Sequence, residues 1–201
     1  MIPALWTSPP LTAEESARWT TSEERAAAAG FVSERRRAEF LTWRAVVRRE
    51  LGDDVGIAYD ALGAPVLTNR AVHISVAHCA GRIAVCASPE RCAVDIEPAT
   101  RDFRRAASRY LTPEEEALSD DPLLPGIVWC AKETLYKYAG RRELDFRRDL
   151  HVVRLDLAAG TLAGRIGNGE PADRCHNAAD TDGNSRYAGR NTGAKSSRCF
   201  G

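Results

Sequence analysis

Between Val72 and Glu97 the chain carries two runs of period-two alternation, "VHISVAHCAGRIAVCAS" and "RCAVDIE", joined by short turn-forming links. Val72, Ile74 and Val76 alternate before the Ala80-Gly81 turn, and Ile83 and Val85 continue after it. β-Branched residues at alternate positions build a half-buried pleated surface, and links this short return the chain antiparallel to itself. The pattern predicts a three-stranded antiparallel meander with "RCAVDIE" as its third strand. A sheet of this kind needs a cover. Residues 33–51, "SERRRAEFLTWRAVVRREL", place Phe40, Trp43, Val47 and Leu51 on one helical stripe with arginines around the rest.

The remaining elements follow from punctuation. "TAEESARW" and "TSEERAAAA" each open with Ser or Thr followed by acids, the signature of a helix start, after a short opening strand. "GIAYDALGAPVL" reads as a hairpin around Gly-Ala-Pro. "TRDFRRAASRY" is expected to be helical, and Thr112-Pro113 starts a further helix with Glu114, Glu115 and Glu116 in its first turn. "GIVWCAKETLYKYAG" places Ile127, Ala131, Leu135 and Tyr138 on one stripe and stops at Gly140, before "LHVVRLDL" resumes alternation. Helices then strands, twice over, predict an α+β chain of two similar halves, 1–88 and 89–164. Residues 165–201 have no apolar period and many Gly, Asn, Ser and Arg, so a disordered or poorly packed tail is expected there.

A chain of 201 residues has room for one sizeable core or two small ones. Its 28 basic and 28 acidic residues cancel, so no global field points to nucleic acid or an anionic membrane, and any anion site must be local. No apolar run is long enough to span a bilayer, and "MIPALWTSPP" lacks the pattern of a secretory signal, so a cytoplasmic location is expected. Six cysteines without a C-x-x-C pair read as reduced thiols rather than as a zinc site.

Alternation in "CAVDIE" turns Cys92, Val94 and Ile96 one way and Ala93, Asp95 and Glu97 the other. Two carboxylates roughly 6–7 Å apart on one face repel unless water or a cation separates them. Taken alone, a wet sheet edge explains them best. A third acid would favour Mg²⁺, which takes octahedral oxygen ligands, and Glu133 is the best candidate. It stands beside Lys132 and four residues before Lys137, two of the three lysines in the chain. An ordinary i,i+4 pair is the plain reading of Glu133 and Lys137; scarce lysines gathered around one acid suit phosphate and metal together. His78, before a glycine turn and near Arg82, is either structural or an anion contact. Arg35, Arg36, Arg37 and Arg44 read most simply as a solvated helix face, with phosphate binding the sharper alternative.

In order and spacing, "HISVAHCAGRIAVCAS", "CAVDIEP", "ASRYLTPEEEAL" and "WCAKETLYKYAG" together resemble the 4'-phosphopantetheinyl transferase superfamily, in particular its longer, monomeric surfactin-synthetase type. The resemblance implies two halves forming a pseudo-dimer with a cleft between them. It also implies Mg²⁺-dependent transfer of the phosphopantetheine arm of coenzyme A to a serine of an acyl or peptidyl carrier protein, releasing adenosine 3',5'-bisphosphate. By the same resemblance Asp95, Glu97 and Glu133 are the metal acids, Glu133 takes or orients the serine proton, Lys137 meets the pyrophosphate, and Lys132 supports it. His78 matches the 3'-phosphate histidine, Glu115 an acid near the metal, and Arg44 a coenzyme A contact. Ala77 and Cys79 stand where the family commonly has serines, Ala64 where it has lysine, and Trp43 where a glycine is frequent. The similarity fades after "GTLAGRIGNG", so an incomplete second half and a non-catalytic coenzyme A or carrier binder form the alternative expectation.

Overall fold

The computed structural model describes residues 3–167, 172–178 and 186–192, the last two stretches as backbone. Its elements are α+β, and the chain divides into two units, Met1–Pro89 and Glu90–Gly201.

The first unit runs β1 (Ala4–Ser8), α1 (Ala13–Ala17), α2 (Ser22–Ala29), α3 (Glu34–Leu51), β2 (Ile57–Tyr59), β3 (Pro65–Leu67), β4 (His73–Cys79) and β5 (Arg82–Ser88). Thr12 with Glu15 and Thr21 with Glu24 close the two capping boxes signalled by the sequence, and Ser33 caps α3. β4 and β5 form the expected hairpin, turning at Gly81, whose φ of 75° suits glycine. Trp43, Val46 and Val47 of α3 pack against Ile74, Ile83 and Val85 of this sheet.

The third strand of the expected meander is not there. β5 lies between β1 and β4, so both its edges carry ladder hydrogen bonds and neither is open to the strand that follows. "RCAVDIE" instead begins the sheet of the second unit.

Arg44 is also not on a solvated face. Its side chain is buried, donating from Nη1 to Phe40 O at 2.9 Å and from Nη2 to the Tyr59 hydroxyl at 2.7 Å, with its guanidinium 3.4 Å from the Phe40 ring centre. One turn on, Arg48 is buried as well and holds both Glu24 carboxylate oxygens at 2.7 and 2.9 Å. Two arginines thus tie α3 to the start of α2 and to the β2 end, a fork geometry lysine does not offer.

The second unit contains β6 (Cys92–Pro98), a 3-10 segment (Arg104–Arg109), α4 (Pro113–Glu116), α5 (Leu124–Ala139), β7 (Leu150–Asp156), β8 (Thr161–Ile166), β9 (Ala172–Ala178) and β10 (Arg186–Thr192). The helix expected over "TRDFRRAASRY" is reduced to the 3-10 turn. Thr112, before Pro113, is held extended at ψ 160°, which ends any helix arriving there. The five strands are antiparallel in the order β6-β10-β9-β8-β7. Within 165–201, expected to be disordered, the backbones of β9 and β10 pair in this sheet; residues 168–171, 179–185 and 193–201 lie outside the described residues. Backbone ladders use only N–H and C=O groups, so strands form without the apolar period that signals them in sequence.

Leu124, Ile127, Val128, Ala131 and Leu135 of α5 fill the core with Tyr110, Leu150, Val152 and Leu162, and Gly140 ends the helix in the left-handed region at φ 57°. Cys79, Cys86, Cys92 and Cys130 are buried. Among the described residues no helix is long and apolar enough to cross a membrane.

The α5 helix lies so close to β8 that a Cβ at Gly164 would stand 2.7 Å from Leu135 Cδ1. Gly164→Ala is therefore expected to destabilise the protein by about 1–3 kcal/mol, the usual cost of overpacking, as a fall in urea midpoint without a change in slope.

Candidate active site

The acid-bearing face of β6 is covered rather than wet. Cys92 through Ile96 are all buried, Asp95 being 8% exposed, because α5 packs across the strand. Trp129, Glu133 and Lys137 recur every fourth residue and so form one stripe of α5. The stripe meets the acids in order. Trp129 Nε1 donates to Glu97 Oε1 at 3.2 Å, and Lys137 Nζ donates to Asp95 Oδ1 at 2.9 Å and to Val94 O at 3.0 Å. Glu133 stands one turn from each, between the two contacts.

Charge is unevenly settled here. Glu97 is also paired with Arg101, which follows the end of β6. Asp95 Oδ2 is buried and has no hydrogen-bond partner among the described residues. Burial pushes the Glu133 carboxyl above the usual carboxylate range, the Asp95 and Glu97 charges push it the same way, and Lys137 and Arg101 oppose them. The Cys130 thiol, fully buried, is held well above the usual thiol range by desolvation and then by Asp95 and Glu97.

The other sequence candidates fall elsewhere. Lys132, expected to support the phosphate, points away from the stripe into the core: it is 0% exposed, and its Nζ lies 2.8 Å from Glu115 Oε2. Glu115 in turn closes the Thr112 capping box and accepts the Val152 N–H at 2.8 Å. Both side chains are thus engaged with each other inside the second unit. One residue of shift on a helix is a 100° rotation, so neighbours of opposite use are what α5 geometry demands. The Lys132 ammonium is lowered from its ordinary value by desolvation, with Glu115 acting in the opposite direction.

In the first unit, the Arg44 guanidinium is held by the internal contacts described above. His78 is exposed at the end of β4, with Nδ1 3.5 Å from Oε2 of the buried Glu39. Sequence reasoning assigned no role to Trp129, Cys130 or Arg101. Trp129 was findable as the i−4 neighbour of Glu133, whereas Arg101 lies past the strand end, where no periodicity fixes direction.

Unit 2 therefore offers three carboxylates, two cations and an indole along one strand-helix contact. Residues 91–188 match the family described as ACPS, the 4'-phosphopantetheinyl transferase superfamily. The match starts beside β6 and ends within β10, covering just under half of the chain. It supports a transferase of the phosphopantetheinyl type, a superfamily that acts on carrier proteins with coenzyme A and typically uses Mg²⁺. No curated protein matches the chain.

Oxygen donors of this kind suit a hard divalent cation, and the unpartnered Asp95 Oδ2 and the unfavourable charge on Glu133 both mark a place short of positive charge. Among the described residues, however, no three His, Cys, Asp or Glu side chains stand ready to hold a metal ion as they are arranged. Two of the acids already face cations, so the residues fit a divalent ion on condition that ion pairs exchange.

Breaking the Lys132–Glu115 pair strands a buried charge. Lys132→Met is expected to lower stability by about 3–5 kcal/mol, and adding Glu115→Gln to recover part of it, as chemical denaturation of the single and double variants will show.

Proposed function

We propose that this protein transfers the phosphopantetheine arm of coenzyme A to a serine of an acyl or peptidyl carrier protein, as a monomeric cytoplasmic enzyme of the surfactin-synthetase type. The observation that carries the reading is the junction of Asp95, Glu133 and Lys137, where Asp95 Oδ2 is buried with no hydrogen-bond partner among the described residues. Asp95, Glu97 and Glu133 would hold Mg²⁺, whose charge offsets that developing on the diphosphate. Lys137 presents an ammonium to the phosphate oxygens, a fixed charge that needs no proton transfer. Glu133, its carboxyl raised toward neutrality by burial, takes or orients the proton of the serine hydroxyl. The serine oxygen forms a bond to the β-phosphorus, the bond from that phosphorus to the bridging oxygen breaks, and adenosine 3',5'-bisphosphate leaves with the electron pair. His78 is assigned to the 3'-phosphate, with Glu39 behind its Nδ1; Lys132 and Arg44 are not assigned to coenzyme A.

The experiment is incubation with coenzyme A, Mg²⁺ and a panel of apo carrier proteins, read by mass spectrometry as addition of the arm. Absence of transfer to every carrier by folded protein overturns the enzyme. Binding of coenzyme A without turnover would favour the binder. Asp95→Ala and Glu133→Ala are each expected to reduce transfer by at least about 10³-fold, and Lys137→Ala by about 10²–10³-fold, with circular dichroism unchanged.

A pH dependence follows. A carboxyl raised in the folded state binds its proton more tightly there than in the unfolded chain. Glu133 therefore makes the metal-free protein lose stability as pH rises from the ordinary carboxylate value through its raised one. Mg²⁺, binding the folded state, is expected to restore that loss and raise Tm; Glu133→Gln should flatten both responses in thermal melts.

A further inference from the structure

Arg101 is the cation at the site that the proposed reaction leaves without a task. It sits four residues after Glu97, beyond the strand, and its guanidinium pairs with Glu97 Oε1, the oxygen that also accepts from Trp129. Three features make this pair exchangeable. The Arg101 side chain is 49% exposed while that of Glu97 is 16% exposed, and half-exposed ion pairs are weak. The guanidinium also lies 4.8 Å from the Phe103 ring centre and 5.7 Å from that of Trp129, so two aromatic faces hold it when the carboxylate lets go. Finally, Arg101 borders a cavity of about 320 Å³ lined with Phe103, Arg104, Leu123 and Pro125, which gives the side chain room to move.

We infer that Arg101 is an exchanging counterion: it occupies Glu97 until a divalent cation takes that carboxylate, and then turns to the diphosphate of the incoming substrate. The inference rests on the proposed reading of Asp95, Glu97 and Glu133 as metal acids. Its logic is competition followed by cooperation. Without substrate, a guanidinium and a divalent ion compete for one carboxylate, so arginine opposes metal binding. With a diphosphate present the displaced guanidinium gains an anion for which its planar fork is suited. Arg101 thus weakens one ligand and strengthens the other, a pair of opposite signs that a merely structural role does not produce.

The test measures Mn²⁺ binding by electron paramagnetic resonance without coenzyme A, and coenzyme A binding by calorimetry at saturating Mn²⁺, for the full chain and for Arg101→Gln and Arg101→Lys. Arg101→Gln is expected to bind Mn²⁺ about 2–5-fold more tightly, the range for a half-exposed pair, and coenzyme A about 10-fold more weakly, with Arg101→Lys between it and the parent in both. Unchanged or weakened Mn²⁺ affinity in a folded Arg101→Gln overturns the inference while leaving the metal reading in place. Failure of the unaltered protein to bind Mn²⁺ overturns both.

Discussion

The packing of α5 across the acid face of β6 is the constraint on which the second unit depends. A strand alone presents Asp95 and Glu97 to water. Once the helix covers them, their charges are desolvated and every polar side chain on the covering stripe must answer to them. Trp129 and Lys137 do so by donation, at 3.2 and 2.9 Å. Glu133 does not, and its carboxyl is raised, first by its own burial and then by those charges. The opposite side of the same helix is fixed by apolar packing on Leu150, Val152 and Leu162 and by the buried Lys132–Glu115 pair. Rotation of α5 would expose a buried ion pair on one side and separate the stripe from the acids on the other. Stability and site geometry are therefore set by one contact.

Much of this was legible in the sequence, for identifiable reasons. Capping boxes at Thr12, Thr21 and Thr112 are local and were readable residue by residue, as was the Gly140 stop of α5. The side of the strand that carries Asp95 and Glu97 followed from alternation. What alternation does not encode is which sheet a strand enters. β6 reads as the third strand of a meander because it follows β5 closely; β1, from the other end of the unit, already occupies that edge. Nor does composition reveal β9 and β10, since ladder formation draws on backbone groups.

The lysines show where residue-type reasoning ends. Lys132 and Lys137 are both scarce and both near Glu133 in sequence, and scarcity alone suggested a shared task. Helix geometry separates them: Lys137 lies on the stripe with Glu133, and Lys132 is rotated into the core. Arg44 makes the same point in the first unit. An arginine-rich helix read as a wet face holds two buried guanidinium groups, because Glu24 sits where α2 begins and aromatic rings flank the guanidinium of Arg44. Partners distant in sequence decided both cases.

The acids of the second unit remain imperfectly matched by the cations beside them, and that imperfection has chemical content. Full neutralisation of Asp95, Glu97 and Glu133 by side chains would give a more stable strand-helix contact and a site indifferent to a metal ion or a phosphate. Complete lack of neutralisation would leave three desolvated charges that the fold could not hold. The arrangement lies between these limits: one cation is anchored at Asp95 and backbone, one is half-exposed at Glu97, and Glu133 is left to titrate. A site in this condition gains more from added positive charge than a neutral surface does, and it keeps two side-chain cations beside the three acids.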